Sequence, residues 1–291
     1  MADSIKQNVQ WFPGHMAKTR RLIKECLPQV DAVTEVLDAR VPQSSRNPEL
    51  SSLIGDKPRI VLLNKCDVAD ENATKRWVAY YQKQSAAVLA VDCRCGKGLN
   101  RFVPLLCEVL HDKIQKNEAR GMAGKPLRIM VVGIPNTGKS SFINRMAGRN
   151  RAEVADIAGV TRQNRWFVIG NGIELLDTPG VLWPKFDDPK VGDKLAFIGS
   201  VKDTVVDSET LAVRLLEVLQ AEYPDRLRER YKITDFEDLQ PWEVLELIAR
   251  KRGMIIRGGE IDETRASVML LDEYRAGKLG KITLDRLEEA W

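Results

Sequence analysis

The sequence lacks a long apolar run, a paired-cysteine motif and a large charge excess of either sign. No hydrophobic stretch approaches the roughly 18 residues of a membrane-spanning helix. The five cysteines show no CxxC spacing, so neither a disulfide framework nor a zinc site is indicated. Residues 1–6 carry an acid and no apolar segment, unlike a secretory signal or an arginine-rich transit peptide. We therefore expect a cytoplasmic protein with reduced thiols and no membrane contact.

The composition is typical of a globular protein with a packed core. Hydrophobic residues make up 44% of the chain and charged residues 30%. At about 150 residues per domain, a chain of 291 residues predicts two domains. The net charge is only +4, but the basic residues are clustered within residues 18–24, 145–165, 226–232 and 250–257. A charge cluster is most often a solvated face, yet several clusters in one chain favour contact with a phosphate backbone.

The segment Gly133–Ser140 matches the phosphate-loop pattern of two spaced glycines followed by Lys and Ser. A buried strand is predicted just before it, at residues 127–132, and a helix just after it, at residues 141–147. Glycines let backbone N–H groups surround a phosphate, and the helix N-terminus adds its positive dipole end. We expect Lys139 to contact the β- and γ-phosphates and Ser140 to bind Mg²⁺. The other predicted nucleotide contacts in this loop are Asn136, Thr137, Gly138 and Ser141.

The segment Asn64–Asp67 reads Asn-Lys-Cys-Asp and follows a second buried strand, predicted at residues 59–63. This spacing matches a guanine-reading motif. The Asp67 carboxylate can accept from both the ring N–H and the exocyclic amine of guanine, whereas adenine would leave it unpaired. Asn64 either hydrogen-bonds the guanine carbonyl region or ties this loop to the phosphate loop. The Lys65 stem can lie over the base.

A shorter loop is predicted to complete the base site. The strand at residues 86–91 ends in Asp92 and Cys93, followed by a short glycine-containing stretch. A loop at the end of this strand can wrap the far edge of the base through its backbone groups. It is a degenerate version of the Ser-Ala-Lys element found at such positions. We therefore include Asp92 and Cys93 among the predicted nucleotide contacts.

Two further segments are typical of γ-phosphate switches. Thr161 lies between the phosphate loop and the next acidic motif, where it can bind Mg²⁺ and sense the γ-phosphate. The acidic motif is Asp177-Thr178-Pro179-Gly180, at the end of a predicted strand. We expect Asp177 to hold Mg²⁺ through water and the Gly180 N–H to meet the γ-phosphate. Ras-like enzymes commonly place a water-orienting Gln directly after this motif, but here Val181 stands there, and valine cannot orient water.

Strands alternate with helices up to about residue 190, which predicts an α/β fold. The expected architecture is a mostly parallel, doubly wound sheet with ligands at the carboxyl ends of its strands. Helical segments follow at residues 208–221, 241–252 and 262–276. The core residues predicted in the second of these helices are Trp242, Leu245, Ile248 and Ala249. We therefore predict a nucleotide-binding domain at residues 1–190 and a smaller all-α domain at residues 191–291.

The order of these motifs is unusual for a GTP-binding switch. The base motif at Asn64 precedes the phosphate loop at Gly133, whereas in the common Ras-like order it follows the acidic motif. A closed site does not require one chain order, so this order indicates a circular permutation. Together with Pro13-Gly14-His15-Met16 and Asp177–Gly180, it resembles the bacterial ribosome biogenesis GTPase A family over nearly the whole chain.

The resemblance implies a circularly permuted, Ras-like P-loop GTPase that acts late in assembly of the large (50S) ribosomal subunit. Such a protein would bind rRNA or the pre-ribosome in the GTP state and leave on hydrolysis, which is slow until the subunit stimulates it. The implied partners are 23S-type rRNA and ribosomal proteins, with an RNA-binding helical domain; we expect a monomer. A mitochondrial relative shares the motif order, but the missing transit peptide argues against that compartment. Because the acidic motif leads into the helical segments, hydrolysis is predicted to reposition them.

Two residue roles come from the resemblance, and each keeps an alternative. His15 would orient or deprotonate the hydrolytic water; alternatively, it is a surface or RNA-contact residue at the start of a helix. Asn136 would help to hold a K⁺ ion that neutralises charge developing on the phosphates; alternatively, it only stabilises the loop. The predicted catalytic residues are His15, Lys139 and Thr161.

Two other functional classes fit parts of the sequence less well. A nucleotide-dependent RNA-modifying enzyme would need a metal cluster or a second catalytic constellation, and the sequence suggests neither. A signalling switch of the membrane surface would need a lipidation motif or an amphipathic anchor, and neither is indicated.

Overall fold

A computed structural model of the chain describes residues 14–84, 86–148, 165–170, 172–183, 188–201 and 207–289, without the side chains of residues 14–18 and 289. These residues divide into two compact units. One unit contains the described residues between 14 and 183 together with residues 283–289, and the other contains those between 188 and 282. The predicted domains 1–190 and 191–291 stay a prediction. Residues 283–289 nevertheless group with the first unit, which no sequence pattern indicated.

The first unit is built on a six-stranded sheet. Its strands are β1 Ala32–Asp38, β2 Arg59–Asn64, β3 Ala87–Ala90, β4 Leu127–Val132, β5 Arg165–Ile169 and β6 Ile173–Asp177. The strand order is β3-β2-β1-β4-β6-β5, and every neighbouring pair is parallel except β5 and β6. The Asn-Gly dipeptide at positions 171 and 172, between β5 and β6, predicts a hairpin, and these two strands pair antiparallel as expected. The mostly parallel sheet expected from the alternating pattern is confirmed.

Helices of this unit alternate with the strands. They are α1 Gly14–Cys26, α2 Pro48–Ile54, α3 Glu71–Lys83, α4 Phe102–Val109, α5 His111–Ala119 and α6 Lys139–Ala147. Short 3₁₀ segments occur at Leu27–Gln29, Leu99–Arg101 and Leu287–Glu289. Side-chain caps begin two of the helices: Asn47 accepts from the Glu49 N–H at 3.0 Å, and Asp70 accepts from the Ala73 N–H at 2.6 Å.

The sheet is covered on both faces, as a doubly wound fold requires. On one face the strand residues pack against α4 and α6, where the Phe102 and Phe142 rings meet edge to face at 5.0 Å. On the other face they form two clusters, one with Ile23 from α1 and one with Trp77 and Tyr81 from α3. Alternate strand residues therefore point to opposite layers, and the strand ends remain available for loops.

The second unit is helical. Its helices are α7 Pro189–Phe197, α8 Ser208–Glu222, α9 Pro224–Tyr231, α10 Pro241–Lys251 and α11 Glu263–Arg275. α8 packs against both α10 and α11. Within α10, Leu245, Ile248 and Ala249 are buried as predicted, but Trp242 is 52% exposed, so its assignment to the core was wrong. Trp242 is in the first turn of the helix, and apolar spacing identifies a helix face without showing how far along that face the packing extends.

Two further differences concern helix boundaries. The sequence pattern predicts one continuous helix from Leu99 to Asn117, but the chain forms a 3₁₀ turn, α4 and α5, with a break at Leu110. The helices α7 and α9 were not predicted individually, because each is short and begins at a proline. Within the described ranges, no helix has both the length and the apolar character needed to cross a bilayer.

Candidate nucleotide-binding site

The loops predicted to bind a nucleotide follow parallel strands, so they lie at one edge of the sheet. β2 leads into Asn64–Asp67, β4 into Gly133–Ser140 and β6 into Asp177–Gly180. β4 lies between β1 and β6, so the phosphate loop is flanked by the end of each. The end of β1 is Asp38, whose part in the site the sequence did not reveal.

The phosphate loop adopts backbone conformations that favour glycine. Gly133 and Gly138 have φ angles of 150° and 99°, and Asn136 also lies in the left-handed region at 63°. A Cβ at Gly133 would lie 2.5 Å from the Val36 carbonyl oxygen, and one at Gly138 would overlap the Asn64 amide group. Both glycines therefore allow the loop to pass close to its neighbours.

Lys139 begins α6, and its ammonium group lies inside the phosphate loop. Its Nζ donates to the Ile134 carbonyl at 2.8 Å, and the buried Thr137 hydroxyl donates to the same oxygen at 3.1 Å. Burial lowers the pKa of Lys139 to about 8, although the nearby Asp177 carboxylate opposes this shift. The exposed hydroxyl groups beside it are those of Ser140 and Ser141. A cation, a helix N-terminus and hydroxyl groups thus converge on one position, which suits an oligophosphate.

The Asn64 side chain joins the base motif to two other loops. It is buried, and its Nδ2 donates to the Thr137 carbonyl at 2.7 Å. Its Oδ1 accepts from the Cys93 N–H at 2.9 Å. Of the two roles predicted for Asn64, the tie to the phosphate loop is the one that the structure contains.

Lys65 adopts a left-handed backbone conformation, with φ 62°. Its Nζ lies 2.8 Å from Asp38 Oδ2 and donates to the Asn136 carbonyl at 2.8 Å. The ammonium group therefore ties the base motif to the phosphate loop, as Asn64 does. Two independent contacts thus fix the distance between the base side and the phosphate side of the site.

Asp38 and Arg40 form a buried ion pair that the sequence reasoning missed. Both side chains are almost completely buried, and Arg40 donates to both carboxylate oxygens of Asp38, at 2.9 and 2.8 Å. Burial by itself would raise the pKa of Asp38, but Arg40 and Lys65 hold that pKa well below its usual range. The available signal was an Asp-Ala-Arg sequence directly after a buried strand, which no phosphate- or base-binding pattern includes.

Asp67, the predicted guanine reader, is paired with an exposed arginine. The Arg94 guanidinium donates to Asp67 Oδ2 at 3.0 Å, and the Arg94 side chain is 80% exposed. Arg145 in turn donates to the Arg94 carbonyl. The carboxylate can therefore accept from planar N–H groups, which is the chemistry that guanine presents.

Asp92 and Cys93 are held by protein contacts in this arrangement. The Asp92 carboxylate accepts from the N–H groups of Arg94 and Cys95 at 2.8 and 3.3 Å. Burial opposes ionisation of Asp92, but these hydrogen bonds bring its pKa below the ordinary value. Asp92 therefore shapes the turn beside the base motif. Direct contact of Asp92 or Cys93 with a nucleotide stays a prediction.

The loop after β6 packs directly on the phosphate loop. A Cβ at Gly180 would lie 2.7 and 2.9 Å from the backbone N and Cα atoms of Pro135. The next residue, Val181, is buried, and its N–H donates to the Gly133 carbonyl at 3.2 Å. Only glycine fits at position 180 without displacing the phosphate loop, and the buried Val181 side chain offers no polar group for a water molecule.

Comparison with known proteins assigns this site to a family. A family model described as 50S ribosome-binding GTPase matches residues 128–241. The chain is 45% identical over 285 residues to the ribosome biogenesis GTPase A of Priestia megaterium, covering 97% of this chain and 98% of that protein. The chain belongs to the ribosome biogenesis GTPase A family.

More distant relatives of the family agree. The chain is 34% identical to the mitochondrial ribosome-associated GTPase 1 of Mus musculus, over 95% of this chain and 90% of that protein. The solved structure of GNP-bound YlqF from T. maritima is 30% identical, with a TM-score of 0.64, and the match covers 92% and 98% of the two chains. Membership confirms the predicted resemblance, the α/β GTPase fold and the enzyme class, a GTPase.

GTPases of this family use GTP as substrate and usually require Mg²⁺. The Ser140 hydroxyl and the Asp177 carboxylate supply the oxygen atoms that Mg²⁺ prefers. Burial raises the pKa of Asp177, while the Lys139 and Arg165 charges act in the opposite direction. Among the residues that the structure describes, no group of three or more His, Cys, Asp or Glu side chains forms a metal cage. This donor set fits a cation held jointly by protein and phosphate oxygens.

The structure does not describe the side chains of two predicted site residues. Thr161 lies outside the described residues, and for His15 only the helical backbone of α1 is described. The roles assigned to them stay predictions. For His111, the other histidine of the chain, the sequence predicts a solvated helix position, and His111 is indeed exposed at the start of α5.

Proposed function

We propose that this GTPase is an assembly factor for the large (50S) ribosomal subunit, which binds the pre-ribosome in its GTP state and is released on hydrolysis. The names of its relatives support a role at the ribosome. The packing of Gly180 against Pro135 supports a switch that responds to the γ-phosphate. A γ-phosphate would meet the loop at this contact, and the chain continues from Gly180 into the helical unit. Hydrolysis would then change the position of the Gly180 loop, which both contacts the nucleotide and leads into the helical unit.

The residues divide into three roles. Asp67 reads guanine, while Asn64 and Lys65 hold the base motif in register with the phosphate loop. Lys139 neutralises phosphate charge, and Ser140 and Asp177 hold Mg²⁺. The remaining proposed contacts with GTP are Asp92, Cys93, Asn136, Thr137, Gly138, Ser141, Thr161 and Gly180. Thr161 also binds Mg²⁺, His15 orients the water and Asn136 holds K⁺.

The proposed partner is 23S-type rRNA together with ribosomal proteins. In the helical unit, the residues from Arg250 to Arg252 and from Ile255 to Arg257 are exposed, and Trp242 is exposed at the start of the same helix α10. Basic side chains near the exposed Ile255 and Ile256, with an exposed aromatic ring at the other end of α10, suit a folded RNA, since charges contact its backbone and rings contact its unstacked bases. We propose a monomer that acts in the cytoplasm.

The decisive test measures GTP hydrolysis by the purified protein with and without large ribosomal subunits, in K⁺ and in Na⁺. Stimulation by the subunit, greater in K⁺, is expected for the native chain. His15→Ala should lose most of the stimulated rate while retaining GDP affinity. A rate that ignores both the subunit and the cation would contradict the proposal.

A second test separates the ribosome from a membrane. The protein is sedimented with large subunits or with liposomes in the presence of a non-hydrolysable GTP analogue, and co-sedimentation with the subunit alone is expected. Asp67→Asn should move nucleotide preference from guanine toward xanthine, because an amide offers a donor where the carboxylate accepted. Unchanged GTP preference would remove the assignment of Asp67.

A further inference from the structure

Residues 283–289, here called the return segment, follow the helical unit but belong to the nucleotide-binding unit. Thr283, Leu284 and Asp285 are buried to 5% exposure or less. Leu287 packs against the cluster that contains Trp77 of α3. Such complete burial of polar side chains requires hydrogen-bond partners, and those partners lie in the loop after β1 and in α3 with its N-cap.

The first group of partners is the loop that follows β1. The Leu284 N–H donates to the Arg40 carbonyl at 2.7 Å. The Asp285 carboxylate accepts two hydrogen bonds of 2.7 Å, from the N–H and the hydroxyl of Ser44. The Thr283 hydroxyl lies 3.3 Å from the Ala39 carbonyl, to which it donates. The return segment therefore holds this loop along both its backbone and its side chains.

The second group of partners is α3 and its N-cap. The Thr283 hydroxyl accepts from the Asp70 N–H at 3.1 Å, and the Trp77 indole donates to the Asp285 carbonyl at 3.3 Å. Asp70 caps α3 and stands three residues after Asp67. One hydroxyl, that of Thr283, thus connects the loop after β1 to the N-cap of α3, three residues beyond the base motif.

The near end of the base motif is held by the same loop. The Ala39 N–H donates to the Asn64 carbonyl at 2.8 Å, and Asp38, locked by Arg40, pairs with the Lys65 ammonium at 2.8 Å. The loop from Lys65 to Asp70 is therefore fixed at its start through Asp38 and at its end through Thr283. Asp67 lies between these two attachments.

We propose that the return segment positions the base-reading loop, and that Thr283 and Asp285 are positioning residues for guanine specificity. Two simultaneous hydrogen bonds to the ring N–H and the exocyclic amine require the Asp67 carboxylate to be held within a few tenths of an ångström. This inference rests on the proposed role of Asp67 as guanine reader. Among the described residues, it also makes the helical unit an insertion between the Gly180 loop and Thr283.

The test compares affinities for GDP and for inosine diphosphate, which retains the ring N–H but lacks the amine. The readout is the ratio of the two dissociation constants, because a variant that merely unfolds in part lowers both apparent affinities equally and leaves the ratio unchanged. Thr283→Val and Asp285→Asn should each reduce the GDP preference by about fivefold, the effect of one lost hydrogen bond. Thr283→Ser, which keeps the hydroxyl, should restore most of the preference.

Two reference variants make the outcome unambiguous. Thr34→Val is the matched control, since Thr34 is completely buried in β1 of the same unit and its hydroxyl has no hydrogen-bond partner; the GDP preference of this variant should equal that of the native chain. Asp67→Asn should abolish the preference. If Asp67→Asn does so while Thr283→Val and Asp285→Asn do not change it, the inference is overturned and the base-reading role stands. If Asp67→Asn leaves the preference intact, the proposed role of Asp67 itself fails.

Discussion

The two sides of the nucleotide site are held together by different means. On the base side, the loop from Lys65 to Asp70 is fixed by side chains from remote parts of the chain, including Asp38 and Thr283. On the phosphate side, the loop after β6 meets the phosphate loop through backbone atoms: Gly180 packs on Pro135, and the Val181 N–H donates to the Gly133 carbonyl. Side chains thus anchor the loop that reads the base, whereas backbone atoms make the contacts at which the loop after β6 meets the phosphate loop.

The difference corresponds to what each side has to do. Guanine recognition needs a carboxylate that stays in place, so buried ion pairs and hydrogen bonds suit the base side. A γ-phosphate switch needs a loop that can move away and return, and glycine contacts allow this without breaking a buried charge pair. The comparison predicts that base-side variants lose stability, whereas phosphate-side variants lose turnover.

The largest effect is expected from Asp38→Asn. This change leaves the Arg40 guanidinium buried without its carboxylate, so the free energy of unfolding should fall by about 3–5 kcal/mol. Denaturant unfolding of the nucleotide-free protein, followed by tryptophan fluorescence, measures the loss. Asp112→Asn is the control, because the Asp112 side chain is 89% exposed.

The same ion pair predicts how the stability of the folded protein changes with pH. The pKa of Asp38 is lower in the folded protein than in the unfolded chain, where an aspartate titrates near 3.9. Its contribution to stability is therefore complete above about pH 4 and is lost progressively as the pH falls further. Native and Asp38→Asn stabilities should converge in acid; a constant difference down to pH 2 would contradict the assignment.

On the phosphate side, Gly180→Ala should act on turnover. The new methyl group would overlap the backbone of Pro135, so the loop would be held away from the phosphates. We expect GTP hydrolysis to fall by about a hundredfold, in the range found when one transition-state donor is removed, while GDP affinity changes little. Gly170→Ala is the matched control, because no atom lies within 4 Å of a Cβ placed there. Equal rates for the two variants would show that the Gly180 contact has no catalytic consequence.

Local patterns in the sequence were sufficient to predict the mostly parallel sheet and to locate the phosphate loop and the base motif. Each depends on neighbours in the chain: an apolar strand, then glycines or a polar tetrad, then a helix. The permuted order was visible because both motifs can be recognised separately. For the same reason the strands at Asn64 and Gly133 could be expected at one sheet edge before their pairing was known.

Contacts between distant segments could not be predicted in this way. Thr283 and Asp285 lie in a stretch without any motif, and their partners are more than 200 positions earlier. The buried pair Asp38–Arg40 has the appearance of an ordinary polar turn in the sequence. Trp242 was wrongly placed in the core because periodicity identifies a helix face but not the extent of the surface that covers it.

A smaller effect is expected from the titration of Lys139. With a pKa of about 8 in the nucleotide-free protein, its ammonium group loses its proton above that pH, whereas bound phosphates favour the charged form. GDP affinity should therefore be nearly constant below pH 7 and fall by up to about tenfold per pH unit above 8. The arginine of the Lys139→Arg variant stays charged, so the GDP affinity of this variant should not change with pH, whatever its absolute value. A flat profile for the native protein would contradict the depressed pKa.

The smallest effect concerns the surface of the base site, where Arg94 occupies the carboxylate that guanine needs. An exposed ion pair contributes at most about 1 kcal/mol, so Arg94→Ala should strengthen GDP binding by no more than about fivefold. The gain should appear for GDP more than for inosine diphosphate, because the carboxylate is released for both of its hydrogen bonds. Arg101→Ala, an exposed arginine on the adjacent 3₁₀ turn, controls for the change in charge. Weaker GDP binding by Arg94→Ala alone would instead mean that Arg94 supports the base after it leaves Asp67.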